Sequence, residues 1–259
     1  SPLLQTFRDF PASVSKADQT RLRAEAIAVY KKHTAPAFHQ LHTFLVKRYI
    51  PNCRESIACS DLPNGKAWYQ QRIHTMTTTR LTPLDIHAIG LREGKRIRAE
   101  MEKIKTQSGF AGSLAEFFKF LRTDERFYYK RGTQLLAGYR DISKRADPEL
   151  IKLFGRLPRQ PYGVRPVPSY IERSVTTAYY QPGSTVASRP GYFYANTFNL
   201  AVRPKWEMEA LTLHEAVPGH HLQLAIADEL TGLPEFRKYA RYTAYVEGWA
   251  LYAESLGTE

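Results

Sequence analysis

Three histidines and one glutamate lie within eight residues of the sequence, at His214, Glu215, His220 and His221. Imidazole nitrogens bind zinc, and a glutamate directly after a histidine ligand can serve as a general base toward water. In the common zinc-hydrolase helix the second histidine follows the first by four residues, so both rings reach one ion across a helical turn. The segment therefore indicates a zinc-hydrolase helix with an altered spacing.

Pro218 occupies the position of the usual second ligand. A proline inside a helix lacks the N–H that would bond to the carbonyl of His214, and its ring crowds the preceding turn. We therefore expect a bulge over residues 217–219. Extrusion of two residues would bring His220 to the ligand position, and extrusion of three would bring His221 there. The smaller insertion favours His220.

A catalytic zinc ion usually has three protein ligands and one open position. Glu247 lies among apolar residues of a predicted helix, where an uncompensated carboxylate is costly and binding of a cation removes the cost. Glu254, two turns later on the same face, either supports a ligand or, as is more common, is simply solvated. Tyr245 and Tyr252 are candidate donors to an oxyanion, although tyrosines in such helices are more often packing residues.

The elements that must position these residues are mostly helical. Apolar spacing and capping signals predict helical segments over residues 16–50, 82–105, 113–122, 124–144, 205–230 and 235–256. Four prolines between residues 158 and 168 end the first helical series, and aromatic and β-branched residues predict strands over 169–177 and 191–197. We predict a mainly α (α+β) protein forming a single domain over 1–259. Its helical part is residues 1–157, and the small sheet and metal-binding helices follow over 158–259.

The strand predicted over residues 191–197 comes just before the metal-binding helix. Such a strand can pair with an extended substrate backbone, with Asn196 and Tyr194 as candidate substrate contacts. An ordinary edge strand without a substrate role is an equally good interpretation.

The net charge of +12 comes from 37 basic and 25 acidic residues. The excess of basic residues lies in residues 1–160, away from the histidines and glutamate of residues 214–221. Its lysines and arginines follow the spacing of solvated helix faces. We therefore expect no nucleic-acid partner.

The two cysteines, Cys53 and Cys59, lie in a loop rich in turn-forming residues. Their spacing is too long for a typical zinc pair, and a second ligand pair is missing nearby. The pattern favours a disulfide and an oxidising compartment such as the periplasm, with two unpaired thiols as the alternative.

The segments that carry this chemistry resemble bacterial domain-of-unknown-function family 885. The likeness covers most of residues 70–259 and is carried by five segments: 86–91, 96–101, 189–197, 214–221 and 246–252. The resemblance implies a zincin-like fold related to gluzincin peptidases, since Glu-Gly-Trp-Ala at Glu247 is similar to the Glu-Gly-Phe-Ala of aminopeptidase N relatives. It also implies zinc ligands at His214, His220 and Glu247, a water-activating Glu215, and a chain that is incomplete at its C-terminal end.

These observations together predict a zinc-dependent hydrolase, most specifically a metallopeptidase that cleaves a peptide or another amide. We expect a periplasmic or cell-envelope location, with membrane attachment through a lipid anchor outside the visible chain. The alternative is a non-catalytic lipoprotein or binding module with a structural metal or none.

Overall fold

In the computed structural model, which describes residues 1–258, the chain is mainly helical and carries one small three-stranded sheet. The predicted mainly α (α+β) class is therefore confirmed. The chain divides into two compact units, Ser1–Lys66 and the remainder from Ala67 onward. The single domain over 1–259 stays a prediction. Among the described helices, none is both long enough and apolar enough to cross a membrane.

The first unit contains helices α1 (Lys16–Val29) and α2 (Ala35–Phe44). Helix α1 begins after Ser15, whose side chain accepts a hydrogen bond from the backbone N–H of Asp18. A π-helical turn joins the two helices, and Pro36 lies in the first turn of α2, where its missing N–H has little cost. The predicted helical segment over 16–50 is thus present, with one π-helical stretch just before the proline and a second over Leu45–Tyr49.

Cys53 and Cys59 are free thiols, so the predicted disulfide between them is wrong for this structure. The Sγ atom of Cys53 lies 3.3 Å from the carbonyl oxygen of Tyr49, and the Sγ atom of Cys59 lies 3.7 Å from that of Gly65. Each cysteine adjoins its own 3₁₀ turn and directs its thiol to a nearby carbonyl. Close spacing in a turn-rich loop was therefore not enough to pair them.

The helix α3 (Gly65–Thr77) begins at the boundary between the units. The helices that follow it are α4 (Pro83–Gln107), α5 (Leu114–Thr123), α6 (Gly132–Ala146), α7 (Leu150–Leu153), α8 (Met208–Glu215), α9 (His220–Glu229), α10 (Glu235–Tyr239) and α11 (Thr243–Leu256). Helix α4 starts as predicted: the Thr82 side chain accepts from the Asp85 N–H, and the Asp85 carboxylate accepts from the Thr82 N–H. This reciprocal cap satisfies two N–H groups that the first turn leaves without helical partners.

The sheet contains β1 (Tyr162–Pro166), β2 (Ala178–Gln181) and β3 (Gly191–Ala195), in the order β1-β3-β2. Strand β1 runs parallel to β3, and β2 runs antiparallel to it. The strand predicted over 191–197 is thus present, although it ends at Ala195. Because β3 is the central strand, both of its edges are already paired.

The strand predicted over residues 169–177 is wrong, because this segment forms turns. The side-chain amide of Asn196 donates hydrogen bonds to the carbonyls of Glu172, Val175 and Thr176, and the segment wraps around it. These bonds offer the backbone an alternative to a sheet ladder, so the β-branched residues of the segment do not decide its conformation.

The core of the second unit lies between the sheet, α6 and α8. Phe193 of β3 is fully buried and packs against Tyr139 of α6, with ring centroids 5.0 Å apart. Leu135 and Met208 belong to the same buried cluster. This packing holds helix α8, which carries His214 and Glu215, against the sheet next to β2.

Candidate metal centre

A break between α8 and α9 shapes the segment that carries the candidate ligands. Helix α8 ends at Glu215 and α9 begins at His220, so residues 216–219 leave the helical path around Pro218. The bulge expected from the proline is therefore present. It brings the rings of His214 and His220 together, with centroids 4.7 Å apart.

Gly219 allows this bulge to fold tightly. A Cβ atom added at Gly219 would collide with the carbonyl oxygens of His214 and Leu213. The backbone N–H of His221 bonds to the carbonyl of Ala216 at 3.1 Å, one residue beyond the spacing of an α-helix. The position thus requires a residue without a side chain because the backbone on either side of the break approaches so closely.

His214, His220 and Glu247 offer ligand atoms that all lie within 4.8 Å of one another. Oε2 of Glu247 lies 3.5 Å from Nε2 of His214 and 3.6 Å from Nε2 of His220. Ligand atoms about 2.1 Å from a tetrahedral zinc ion are separated by about 3.4 Å. The donor types and the two separations that involve Glu247 therefore fit a zinc ion.

His221 points away from this cluster. Its ring is 2% exposed and packs against Tyr162, with centroids 4.6 Å apart. A hydrogen bond of 2.8 Å joins its Nδ1 to the hydroxyl of Tyr180, and burial lowers the pKa of His221 to about 4. Of the two alternatives for the second ligand, the structure thus brings His220, and not His221, to the cluster.

Glu254 supports one of the candidate ligands. The Nδ1–H of His214 donates a hydrogen bond of 2.7 Å to Oε1 of Glu254. This bond leaves the lone pair of Nε2 directed at the cluster, which is the tautomer that a metal ligand needs. The Nδ1 of His220 is buried and has no hydrogen-bond partner among residues 1–258.

Glu215 lies beside the cluster without belonging to it, and it is 7% exposed. Burial raises the pKa of its carboxyl to about 7, and the negative charge of Glu247 adds to the rise. The electrostatic interaction with His214 and a backbone hydrogen bond from Tyr180 act in the opposite direction. A carboxyl that titrates near neutral pH is suited to exchange protons with a bound reactant.

Helix α11 is held by one hydrogen bond to the bulge and one to α9. The indole N–H of Trp249 donates to the carbonyl of Pro218 at 2.8 Å, and the side-chain amide of Gln223 donates to the carbonyl of Tyr245 at 3.1 Å. Glu247 is thereby placed opposite the two histidines, with its side chain 51% exposed. The expectation that burial among apolar residues demands a cation at Glu247 is therefore wrong, because the carboxylate faces an open cleft.

The cluster opens into a cleft of about 250 Å³. Besides His214, Glu215, His220 and Glu247, the cleft is lined by Tyr179, Tyr180, Leu224, Arg241 and Val246. Sequence reasoning missed Tyr180 and Arg241, because neither belongs to a recognisable spacing pattern. Strand β2 and the loop before α11 bring them to the site only through tertiary packing.

The four residues predicted as substrate contacts lie elsewhere. Asn196 is 1% exposed and organises the loop before β2, so its amide is not available to a substrate. Tyr194 stacks on Tyr179 with centroids 5.0 Å apart, on β3 and not in the lining of the cleft. Tyr245 and Tyr252 are exposed on α11 outside the cleft.

The proposed pairing of a substrate with residues 191–197 is also wrong, as is their interpretation as an edge strand. Strand β3 is hydrogen-bonded to β1 on one side and to β2 on the other. The strand that lies at the edge of the sheet and lines the cleft is β2, through Tyr179 and Tyr180.

The sequence profile of a family described as "Bacterial protein of unknown function (DUF885)" matches residues 1–259. The chain belongs to the DUF885 family. The match extends the resemblance across residues 1–69, which include both cysteines. Among curated proteins, none matches the sequence.

A crystal structure described as that of "the putative lipoprotein from Colwellia psychrerythraea" is similar to this DUF885 chain, with a TM-score of 0.93 and 27% sequence identity. The similarity covers 99% of this chain and 45% of the Colwellia chain. The DUF885 chain thus spans less than half the length of that protein.

Proposed function

We propose that this DUF885 chain forms the metal-binding part of a zinc-dependent hydrolase, most specifically a zincin-like peptidase that cleaves amide bonds. The observation that supports this most directly is that His214, His220 and Glu247 converge while the buried carboxyl of Glu215 lines the same cleft. Hydrolysis requires both a group that binds the ion and a separate group that moves a proton.

A zinc ion bound by these residues would activate water and polarise a carbonyl group. Glu215 would accept a proton from the attacking water and deliver it to the leaving amine. Its burial disfavours the charged carboxylate and so favours uptake of a proton. Glu254 would hold the ring of His214 in one orientation throughout the reaction.

A structural zinc site is closed by four protein ligands, whereas a catalytic site keeps one position open. Within residues 1–258, the cluster contains three candidate ligands, and His221, the nearest further histidine in sequence, is turned toward Tyr180. This arrangement favours hydrolysis over the alternative of a binding module with a structural metal.

The dimensions of the cleft favour a small substrate segment. A volume of about 250 Å³ has room for few residues next to the scissile bond. Strand β2 adjoins the cleft as an edge strand, and an extended peptide can add to such an edge through its backbone. A peptide is therefore the substrate that the site accommodates best.

We also propose a location in the cell envelope, with a lipid anchor outside this chain. The description of the Colwellia relative as a putative lipoprotein supports this proposal. The location would place a peptidase where extracellular or cell-wall peptides are encountered.

Zinc analysis of the purified protein, followed by a mixed-peptide screen with and without chelator, tests the proposed activity. We expect about one zinc ion per chain and peptide cleavage that stops on chelation and returns when zinc is restored. Zinc binding without hydrolysis of any peptide or amide would instead favour the structural-metal alternative.

A further inference from the structure

Arg241 lies in the cleft that contains the candidate metal centre, although it belongs to neither the ligand set nor the base. It precedes α11, whose first turn is anchored where the backbone N–H groups of Tyr245 and Val246 bond to the carbonyl of Tyr242. Gln223 of α9 fixes the same turn through the carbonyl of Tyr245. Arg241 thus lies two residues before the start of α11, next to the turn that Gln223 holds.

The guanidinium of Arg241 has no acidic partner in the part of the chain that the structure describes. It takes part in no ion pair and donates no side-chain hydrogen bond among residues 1–258. Of the acids in the cleft, Glu247 lies 3.5 Å from His214 and 3.6 Å from His220, and neither Glu215 nor Glu247 forms an ion pair with Arg241. Five N–H donors in a planar fork are therefore available beside the reacting groups.

Arg241 lines the same cleft as Tyr180 of β2, and its charge acts on the hydroxyl of that tyrosine. Burial raises the pKa of the Tyr180 hydroxyl, and Arg241 is among the charges that oppose the rise. The guanidinium therefore shares the cleft with strand β2.

We infer that Arg241 is a specificity-determining residue that binds a carboxylate of the substrate close to the scissile bond. This inference rests on the proposed function, because it assigns a substrate class to the same cleft. A guanidinium matches a carboxylate through two parallel hydrogen bonds, and a small cleft keeps that carboxylate near the reacting carbonyl. The substrates would be short peptides whose carboxylate is either a free C-terminus or an aspartate or glutamate side chain.

Equilibrium binding to the Glu215→Gln protein tests this inference without turnover. The probes are acetyl-Ala-Ala-Phe as the free acid, the same peptide as its C-terminal amide, and acetyl-Ala-Ala-Glu amide. Each is titrated by calorimetry into zinc-loaded and chelator-treated protein. We expect the free acid to bind about 10- to 100-fold more tightly than the Phe amide, since a charge-assisted bidentate contact is lost in the amide.

Adding Arg241→Gln to this protein should remove the preference, and Arg241→Lys should retain part of it, because the charge remains without the planar fork. Arg237→Gln is the matched control, since it removes the same charge from exposed α10 outside the cleft and should keep the preference. Tighter binding of the Glu amide than of the Phe amide would assign the side-chain carboxylate as a second source of the same contact.

Equal binding of all three probes, a preference that survives Arg241→Gln, or no binding of any probe would each overturn the inference. A carboxylate preference that depends on Arg241, together with wild-type protein that hydrolyses no peptide, would support the inference while the proposed hydrolase fails. Metal-dependent hydrolysis with no carboxylate preference would support the proposed hydrolase and overturn the inference about Arg241. The two proposals can therefore fail separately.

Discussion

The Nδ1–H of His214 donates to Oε1 of Glu254 across the contact between α8 and α11, at 2.7 Å. The opposite nitrogen of the same ring, Nε2, lies 3.5 Å from Oε2 of Glu247, which stands two turns earlier on α11. Helix α11 therefore contacts both nitrogens of a single imidazole. The Glu247 carboxylate lies on the side of the candidate metal centre, and the Glu254 carboxylate lies on the opposite side. The docking of α11 thus sets the orientation of the first candidate ligand.

Glu254→Gln should weaken zinc binding about 10- to 100-fold, because an amide accepts the Nδ1–H without the negative charge that makes the imidazole a stronger ligand. Competition with a chromophoric chelator measures the affinity. Glu235→Gln removes an exposed carboxylate from α10 and serves as the control. Equal affinities in Glu254→Gln and wild type would show that the hydrogen bond does not support the metal.

The residues of the candidate centre differ in how far the sequence could predict them. His220 was predictable, because Pro218 prevents a regular helix and the smallest bulge moves the next histidine into place. The role of Glu254 was predictable only as one of two alternatives, support of a ligand or exposure to solvent. Helical periodicity places Glu254 on the same face as Glu247 but does not show what that face contacts. The position of Arg241 in the cleft could not be predicted from the sequence, because the loop that carries it contains no recognisable motif and reaches the cleft only through tertiary packing.

The same distinction applies to the fold. Helix α4 could be predicted from Thr82, Pro83 and Asp85, which form its cap through local bonds. The turns over residues 169–177 depend on the side chain of Asn196, about twenty residues later, and local propensity contains no information about that contact. Local signals thus predict where helices start, whereas long-range hydrogen bonds determine which segments become strands of the sheet.

Glu215→Gln and Glu247→Gln should separate chemistry from metal binding. Glu215→Gln keeps the ligand set, so zinc content should stay at the wild-type level while peptide hydrolysis falls by about 10²- to 10⁴-fold. Glu247→Gln removes the charged ligand, so zinc content and hydrolysis should fall together. Zinc per chain and initial rates are measured on all three proteins. Zinc loss in Glu215→Gln, or full zinc occupancy in Glu247→Gln, would mean that the two roles are wrongly assigned.

The buried carboxyl of Glu215 should make the stability of the chelator-treated protein depend on pH. Its pKa rises on folding from an ordinary 4.5 to about 7, so between these values the folded state binds more protons than the unfolded state. Stability therefore falls as pH increases across this window, and the loss is complete above the folded pKa.

Glu215→Gln lacks this titration. The wild-type protein should lose stability between pH 4 and pH 8, and the variant should not lose this part. We therefore expect the free energy of unfolding of Glu215→Gln minus that of wild type to be about 1 to 3 kcal/mol larger at pH 8 than at pH 4. Urea denaturation of both proteins in chelator at the two pH values measures this change. A difference between them that is the same at both pH values would show that the Glu215 carboxyl keeps an ordinary pKa.

Gly219→Ala should destabilise the second unit and weaken zinc binding together, because the new Cβ would collide with two backbone carbonyls that cannot rotate away as a flexible side chain can. We expect a loss of at least about 3 kcal/mol in the free energy of unfolding, at the upper end for single substitutions, since the bulge itself must shift. Gly248→Ala is the matched control: it lies in α11 beside Glu247, and a Cβ there meets no atom within 4 Å. That change should stabilise the helix by about 0.5 to 1 kcal/mol and leave zinc affinity unchanged. If Gly219→Ala unfolds at the same urea concentration as wild type and binds zinc equally well, the close approach at the bulge is not what holds His214 and His220 together.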